Sequence, residues 1–224
     1  SYNETNSFSK IVLDYLAADE KLSPFYLHDV SLEGIKASIN ARKKIDTPRK
    51  ILVEELSKQY AGYELTALQQ DNLSGLLLGN TFTITTAHQP NIFTGSLYFI
   101  YKILHIIKIC KVLKEHLPEN KYVPIFYMGS EDADLDELGH ININGEKLEW
   151  ETDQSGAVGR MKTTGLAKII ERLKGEFGHL GFGEEMITLC TKAYTEHSTI
   201  QAATLYLVNE LFKAYGLLVL IPDN

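Results

Sequence analysis

Two short segments of this 224-residue chain crowd chemically useful side chains together. The first reads Ala87-His88-Gln89-Pro90-Asn91-Ile92-Phe93-Thr94-Gly95-Ser96-Leu97-Tyr98, with Lys102 one helical turn further on. It joins an expected strand to an expected helix. Amide N–H groups at a helix start, here near Gly95 and Ser96, favour an anion, and Thr94 and Ser96 add hydroxyl donors. Gly95 lets a ligand approach the backbone closely. His88 could carry a proton or donate to a developing charge; the plainer reading is a histidine that only hydrogen-bonds its own loop. Lys102 could stand beside a phosphate or carboxylate, or simply reach the surface along its alkyl stem. The spacing matches neither the dinucleotide fingerprint nor a Walker loop.

The second segment, Ser130-Glu131-Asp132-Ala133-Asp134-Leu135-Asp136-Glu137, holds five acids within seven residues. Such a loop could hold Mg²⁺, hold an amine or supply a general base. An EF-hand is excluded, because Glu137 stands at the required glycine position and Ile143 at that of the final glutamate. Asp132-Ala133-Asp134 also fits the DxD metal motif of nucleotide-sugar transferases, a two-letter signal. The plainer reading is a solvated loop with helix-capping acids. Crowded carboxylates repel, so buried ones would need cationic or metal partners. Tyr98 and Tyr101 lie on an almost wholly apolar helix and read more readily as core than as site. His140 beside Asn142 reads as strand-edge structure. Arg160, in the glycine-containing stretch Ser155–Arg160, could grip a carboxylate through two hydrogen bonds, although an exposed loop arginine is plainer.

The elements around these segments can be read from periodicity and punctuation. Residues 1 to about 79 look helical. Ser7–Ala18 is amphipathic, Thr47-Pro48 is a helix start, and Thr66 with Gln69 makes a capping box for a helix that stops at Gly79-Asn80. Thr81–Thr86 is rich in β-branched residues and reads as a strand. A buried helix is expected over about 96–115, a buried strand over Tyr122–Met128, and a hairpin over His140–Trp150 turning at Asn144-Gly145. Helices follow at about 164–177, 184–195 and 199–215, the last opened by a Ser198/Gln201 capping box and stopped at Gly216. Leu217–Ile221 is a third buried strand. Strands alternating with helices imply an open, mostly parallel α/β sheet, with ligands beyond the carboxyl ends of the strands. Three such ends, His88-Gln89, Ser130-Glu131-Asp132 and Pro222-Asp223, should converge on one rim. The expected organisation is a helical segment over 1–79 packed on an α/β core over 80–224. Three strands are few for a doubly wound sheet, so the chain reads as a fragment of a longer protein.

Composition narrows the function classes. Hydrophobic residues are 44% and charged residues 23%, as in an ordinary globular chain. The formal net charge of −7 and the absence of a basic run argue against general nucleic-acid binding. The most apolar stretch, Ile92–Leu113, carries Lys102, His105, Lys108 and Lys111, which argues against a membrane span. Cys110 and Cys190 form no CxxC pair and read as small buried hydrophobes, in keeping with a reducing cytoplasm.

At these two segments the chain resembles the bacillithiol biosynthesis cysteine-adding enzymes, cysteine ligases of bacterial thiol metabolism. The resemblance rests on Ala87-His88-Gln89, Thr94-Gly95-Ser96-Leu97-Tyr98, Lys102 and Glu131-Asp132-Ala133-Asp134, and on the ending Tyr215–Asp223. It is strongest over roughly 81–140. It departs from the family pattern where Ala87 replaces a turn glycine, Ser96 a helix-start proline and Ala133 a histidine. The family is similar in fold to class I nucleotidyltransferases, its His/Gln turn standing where their HIGH motif stands. That implies a Rossmann-like open, mostly parallel sheet with an N-terminal helical extension and an inserted β-hairpin. It implies too that members are much longer, with a second half of the core and a coiled coil that makes the full-length protein a homodimer. The implied activity is amide formation between L-cysteine and glucosaminyl-malate, the last step of bacillithiol synthesis, with ATP as expected cofactor and Mg²⁺ as a candidate. On that resemblance His88, Gln89, Asp132 and Asp134 are expected to be catalytic. Thr94, Gly95, Ser96, Tyr98, Lys102, Glu131 and Asp136 are expected to bind substrate. The readings kept beside it are a metal-dependent nucleotide-sugar transferase using Asp132 and Asp134, and a non-catalytic ligand-binding module.

Overall fold

The structure, a computed structural model, describes residues 2–223. The chain divides into two compact units, residues 1–48 and 49–224. The first is helical, with α1 (Lys10–Leu16), a 3-10 turn at Glu20–Phe25 and α2 (Leu32–Arg42). Ser31 caps α2, its hydroxyl accepting from the Gly34 amide at 3.0 Å. Ile39 is this unit's buried large apolar side chain among the described residues, while Ile11, Phe25 and Leu27 are exposed.

The second unit carries the chemistry. It begins with α3 (Arg49–Gln59) and α4 (Ala67–Gly75), so the helical stretch expected over 1–79 is shared between the two units. α3 starts directly after Pro48, but the Thr47 hydroxyl donates to the Ile45 carbonyl and does not act as the cap. The Thr66/Gln69 capping box forms in both directions. α4 closes at Gly75, short of the expected Gly79-Asn80, because Leu76–Leu78 tighten into turns.

Next come β1 (Thr81–His88), α5 (Tyr98–His116), β2 (Lys121–Met128), the single turn α6 (Leu135–Leu138), and the hairpin strands β3 (His140–Ile143) and β4 (Glu146–Glu149). Helices α7 (Ala167–Phe177), α8 (Gly183–Glu196) and α9 (Ile200–Phe212) lead to β5 (Leu218–Leu220). β1, β2 and β5 form one parallel sheet in the order β1-β2-β5. Parallel neighbours require long crossovers, which α5 and the hairpin-to-α9 region supply. This is the open α/β sheet with an inserted hairpin that the sequence implies. Asn144 and Gly145 turn the hairpin with φ of 51° and 84°, as the Asn-Gly pair requires.

β2, in the middle, is buried on both faces. Beside β5 no further strand is paired among the described residues; Gln59 at the end of α3 and Tyr60 just after it complete that edge instead. The Val219 amide donates to the Tyr60 hydroxyl at 2.7 Å, Gln59 Nε2 donates to the Val219 carbonyl at 2.7 Å, and the Ile221 amide donates to Gln59 Oε1 at 2.9 Å. Side chains thus satisfy backbone groups that a fourth strand would otherwise pair. On the far side of β1 no strand is paired among the described residues, and Thr83, Thr85 and Ala87 are exposed.

Two local expectations are corrected. α5 is not buried all round. Phe99, Ile103, Ile106, Cys110 and Leu113 face the core at helical spacing, while Tyr98, Tyr101 and Leu104 are exposed. α9 is capped by Thr199, whose hydroxyl accepts from the Ala202 amide, and not by a Ser198/Gln201 box; the Gln201 side-chain oxygen is buried without a partner. No helix among the described residues is long and apolar enough to cross a membrane. Cys110 and Cys190 are buried as expected, and burial pushes their thiols up to about 12 and about 11.

Candidate active site

The three strand ends do converge. His88 ends β1 in register with Met128 at the end of β2, and Leu220 of β5 pairs with Tyr127. The loops beyond them are joined by hydrogen bonds. Gln89 Nε2 donates to Asp132 Oδ2 at 3.0 Å. The Val158 and Gly159 amides donate to the carbonyls of Asp132 and Ser130. Arg160 grips Asp223 through Nε at 2.6 Å and through Nη2, so this arginine does hold a carboxylate through two hydrogen bonds, one supplied by its own chain.

His88 is 8% exposed. Its Nδ1 lies 3.1 Å from the Gln89 carbonyl, and its Nε2 lies 3.1 Å from the Tyr98 hydroxyl. A carbonyl only accepts, so Nδ1 carries the proton and Nε2 accepts from the tyrosine. Burial holds His88 below the ordinary imidazole range. The Gln89 carbonyl opposes that shift, the Lys102 ammonium adds to it, and the Glu137 carboxylate opposes it. Tyr98, expected in the core, is 50% exposed and forms the outward end of this pair. Lys102 Nζ donates to the Ala87 carbonyl at 2.5 Å and so ties α5 to the last turn of β1.

Between His88 and α5 the backbone takes an unusual path. Phe93, Thr94 and Gly95 have φ of 51°, 69° and 60°. Two of the three are not glycine, a conformation that costs energy and needs outside support. Tyr194 of α8 supplies it, its hydroxyl accepting from the Phe93 amide at 2.6 Å and its ring packing on Phe93 at 4.5 Å. At Gly95 a β-carbon would stand 2.7 Å from the Asn91 Cβ, so glycine is required there for packing as well as for φ. Ser96 provides no cap. α5 begins at Tyr98, with Leu97 at the cap position and no side-chain cap bond.

The acidic loop folds onto itself. Asp132 Oδ1 accepts from the Asp134 amide at 2.9 Å, and Asp134 Oδ1 accepts from the Glu137 amide at 3.0 Å, capping α6. The Asp134 amide and then Gln89 hold the Asp132 carboxyl below the usual carboxylate range. Glu131 and Asp136 are exposed. Among the described residues no group of three or more His, Cys, Asp or Glu side chains is placed to hold a metal ion.

Eight of the eleven expected site residues fall into three sets, while Lys102 is tied to the Ala87 carbonyl and Glu131 and Asp136 are exposed and join none of them. His88 and Tyr98 form a hydrogen-bonded pair. Gln89, Asp132 and Asp134 form a chain that links two loops. Thr94, Gly95, Ser96 and Tyr98 line a cavity of about 400 Å³, whose lining also includes Glu137 of α6 and His140 and Asn142 of β3. Sequence reasoning did not assign Asn91, Glu137, His140 or Tyr194 to the site. Glu137 was visible only as one acid of five, and Tyr194 gave no local signal, since its role depends on α8 packing against a loop 101 residues away in sequence.

Comparison with known proteins places the sequence in a family. The family model described as "Bacillithiol biosynthesis BshC, N-terminal Rossmann-like domain" matches residues 1–224. A protein of Flavobacterium psychrophilum named "Putative cysteine ligase BshC" is 42% identical over 226 residues, covering 100% of this chain and 43% of the relative. Proteins with the same name from Christiangramia forsetii and Staphylococcus saprophyticus are 40% and 27% identical, covering 100% and 99% of this chain and 43% and 42% of the relatives. The chain thus spans less than half the length of these relatives. It belongs to the bacillithiol biosynthesis BshC family, of which it carries the N-terminal Rossmann-like domain.

Proposed function

We propose that this domain contributes active-site residues to a cysteine ligase that joins L-cysteine to glucosaminyl-malate in the last step of bacillithiol synthesis. The observation that carries the reading is the His88–Tyr98 pair, set at the carboxyl ends of parallel strands beside a polar cavity. The family's description, bacillithiol biosynthesis, and the relatives' name, cysteine ligase, support cysteine as one substrate, and glucosaminyl-malate is the partner this reading proposes.

Amide formation needs three things: an activated carboxyl, an amine free of its proton, and an acceptor for that proton. The amine nitrogen attacks the cysteine carboxyl carbon. One carboxyl oxygen then leaves with its activating group, and the nitrogen loses a proton. ATP is the proposed source of activation, since a free carboxylate is a poor electrophile. The α5 amino terminus fits an anionic group, whether carboxylate or phosphate, because the first amides of a helix lack carbonyl partners. The acidic loop does not fit as a metal pair: both Asp132 oxygens and one of Asp134 already accept hydrogen bonds. Asp132, Asp134 and Gln89 accordingly act as positioning residues that hold the rim.

His88 is the proton acceptor of this reading. Kept neutral by burial, it presents Nε2 to the Tyr98 hydroxyl. A proton taken up by the Tyr98 oxygen from the substrate passes on as the tyrosine gives its own to Nε2. The test is mass spectrometry of L-cysteine, glucosaminyl-malate, ATP and Mg²⁺ incubated with a full-length protein carrying this domain. The expected result is an amide product whose rate falls about 10²- to 10⁴-fold in His88→Ala. Wild-type rate in that variant contradicts the role of His88, and no product from the unaltered protein contradicts the reading.

A further inference from the structure

The cavity beside the His88–Tyr98 pair has a polarity of its own. Two kinds of group line it. One is the start of α5, where Leu97 and Tyr98 present backbone amides that precede the first helical carbonyl acceptors, together with the Ser96 hydroxyl. These call for an anion. The other is a set of acceptors. Glu137 brings a carboxylate. Asn91 is 7% exposed; its Nδ2 donates to the Glu137 carbonyl, and its Oδ1 is buried without any partner. His140 Nδ1 lies 2.8 Å from the Asp136 carbonyl, so that nitrogen carries the proton and Nε2 is left as an acceptor. Among the described residues no lysine or arginine lines the cavity. An unsatisfied buried acceptor beside an unpaired carboxylate calls for a cationic donor. The rest of the lining combines Thr94, Gly95 and Asn142 with the apolar side chains of Ile100 and Ile141, next to that of Leu97.

A small molecule that carries a carboxylate, an ammonium and a short, weakly polar side chain satisfies all three linings at once. We infer that the cavity is an α-amino-acid subsite, with the carboxylate over the amino terminus of α5 and the ammonium against Glu137 and Asn91. Glu137 and Asn91 are then specificity residues for the ammonium, and the identity of the amino acid, L-cysteine, rests on the function proposed above.

The test is a titration followed by ¹⁵N–¹H NMR, under reducing conditions, with three probes: L-cysteine, 3-mercaptopropionate, which lacks the ammonium, and cysteamine, which lacks the carboxylate. L-cysteine is expected to give saturable shifts at the amides of Gly95–Tyr98 and at the Asn91 side chain. Each truncated probe is expected to bind about tenfold or more weakly. Glu137→Gln, at an exposed position, is expected to weaken L-cysteine by about tenfold and leave 3-mercaptopropionate unaffected. No saturable shift at these residues, or undiminished L-cysteine binding in Glu137→Gln, overturns the inference. The two proposals fail separately. Amide synthesis by a full-length protein whose KM for L-cysteine ignores Glu137→Gln sinks the subsite and spares the ligase. Selective L-cysteine binding in the cavity by a protein that makes no amide does the reverse.

Discussion

His88 and Met128 end neighbouring strands in register, so the loops that follow them leave the same edge of the sheet. The loop after β2 is the more highly charged, with five acids, yet Asp132 and Asp134 accept hydrogen bonds from the amides of their own loop and from Gln89. The loop after β1 has no charged residue between His88 and Tyr98. It holds three successive residues at positive φ, propped by Tyr194, and places Asn91, whose Oδ1 is buried without a partner, and the start of α5 on the lining of a cavity. Charge density and chemical availability are therefore different quantities. Short Asp side chains in a tight loop find backbone amides before they find a ligand. Glu137 differs because its own amide, and not its carboxylate, is what the loop uses.

This contrast can be broken from either side. The largest effect is expected from His88→Ala, which should cost the proposed ligation about 10²- to 10⁴-fold in rate while the circular dichroism spectrum stays native. Tyr98→Phe keeps the ring but removes the hydroxyl that passes the substrate proton to His88, so a loss of about 10²-fold in rate is expected in the same assay. Asp132→Ala acts on stability. It strips partners from the Asp134 amide and from Gln89, and urea denaturation should show a loss of about 1 kcal/mol. Asp136→Asn, at an exposed site, should leave stability within about 0.5 kcal/mol by the same measurement. The pH dependence follows from His88. Its folded pKa lies below the ordinary imidazole value of 6.5, so just below pH 6.5 the unfolded chain binds a proton that the folded chain refuses. Stability should fall as pH drops through that window and level off below the folded pKa. Stepped-pH denaturation should show this slope reduced in His88→Ala.

Much of the architecture was legible because it is encoded locally. The capping box at Thr66/Gln69, the Asn144-Gly145 turn, the Gly216 stop and the three apolar strands each depend on a few adjacent residues. The convergence of His88, Ser130 and Asp223 followed from reading the strands as parallel. What was not legible depends on distant partners. The completion of the β5 edge by Gln59 and Tyr60 joins residues about 160 positions apart. Thr199 caps α9 in place of Ser198, a choice set by how the preceding loop packs and not by residue type. Tyr98 looked like core because its helix is apolar, but α5 has only one buried face and Tyr98 lies off it. At the site, His88 and the Thr94–Ser96 turn were found from residue types, whereas Asn91, His140 and Tyr194 gain meaning only when α6, β3 and α8 are brought to the loop.

The central claim is that the loop after β1 holds the reacting groups and the loop after β2 holds the rim in place. The most direct test ranks two substitutions in a full-length protein carrying this domain. Amide product would be quantified by mass spectrometry for His88→Ala and Asp132→Ala, at a temperature where both remain folded. The account predicts that His88→Ala loses more turnover than Asp132→Ala by about an order of magnitude or more. The reverse ranking, with His88→Ala close to wild type and Asp132→Ala inactive while folded, would contradict it.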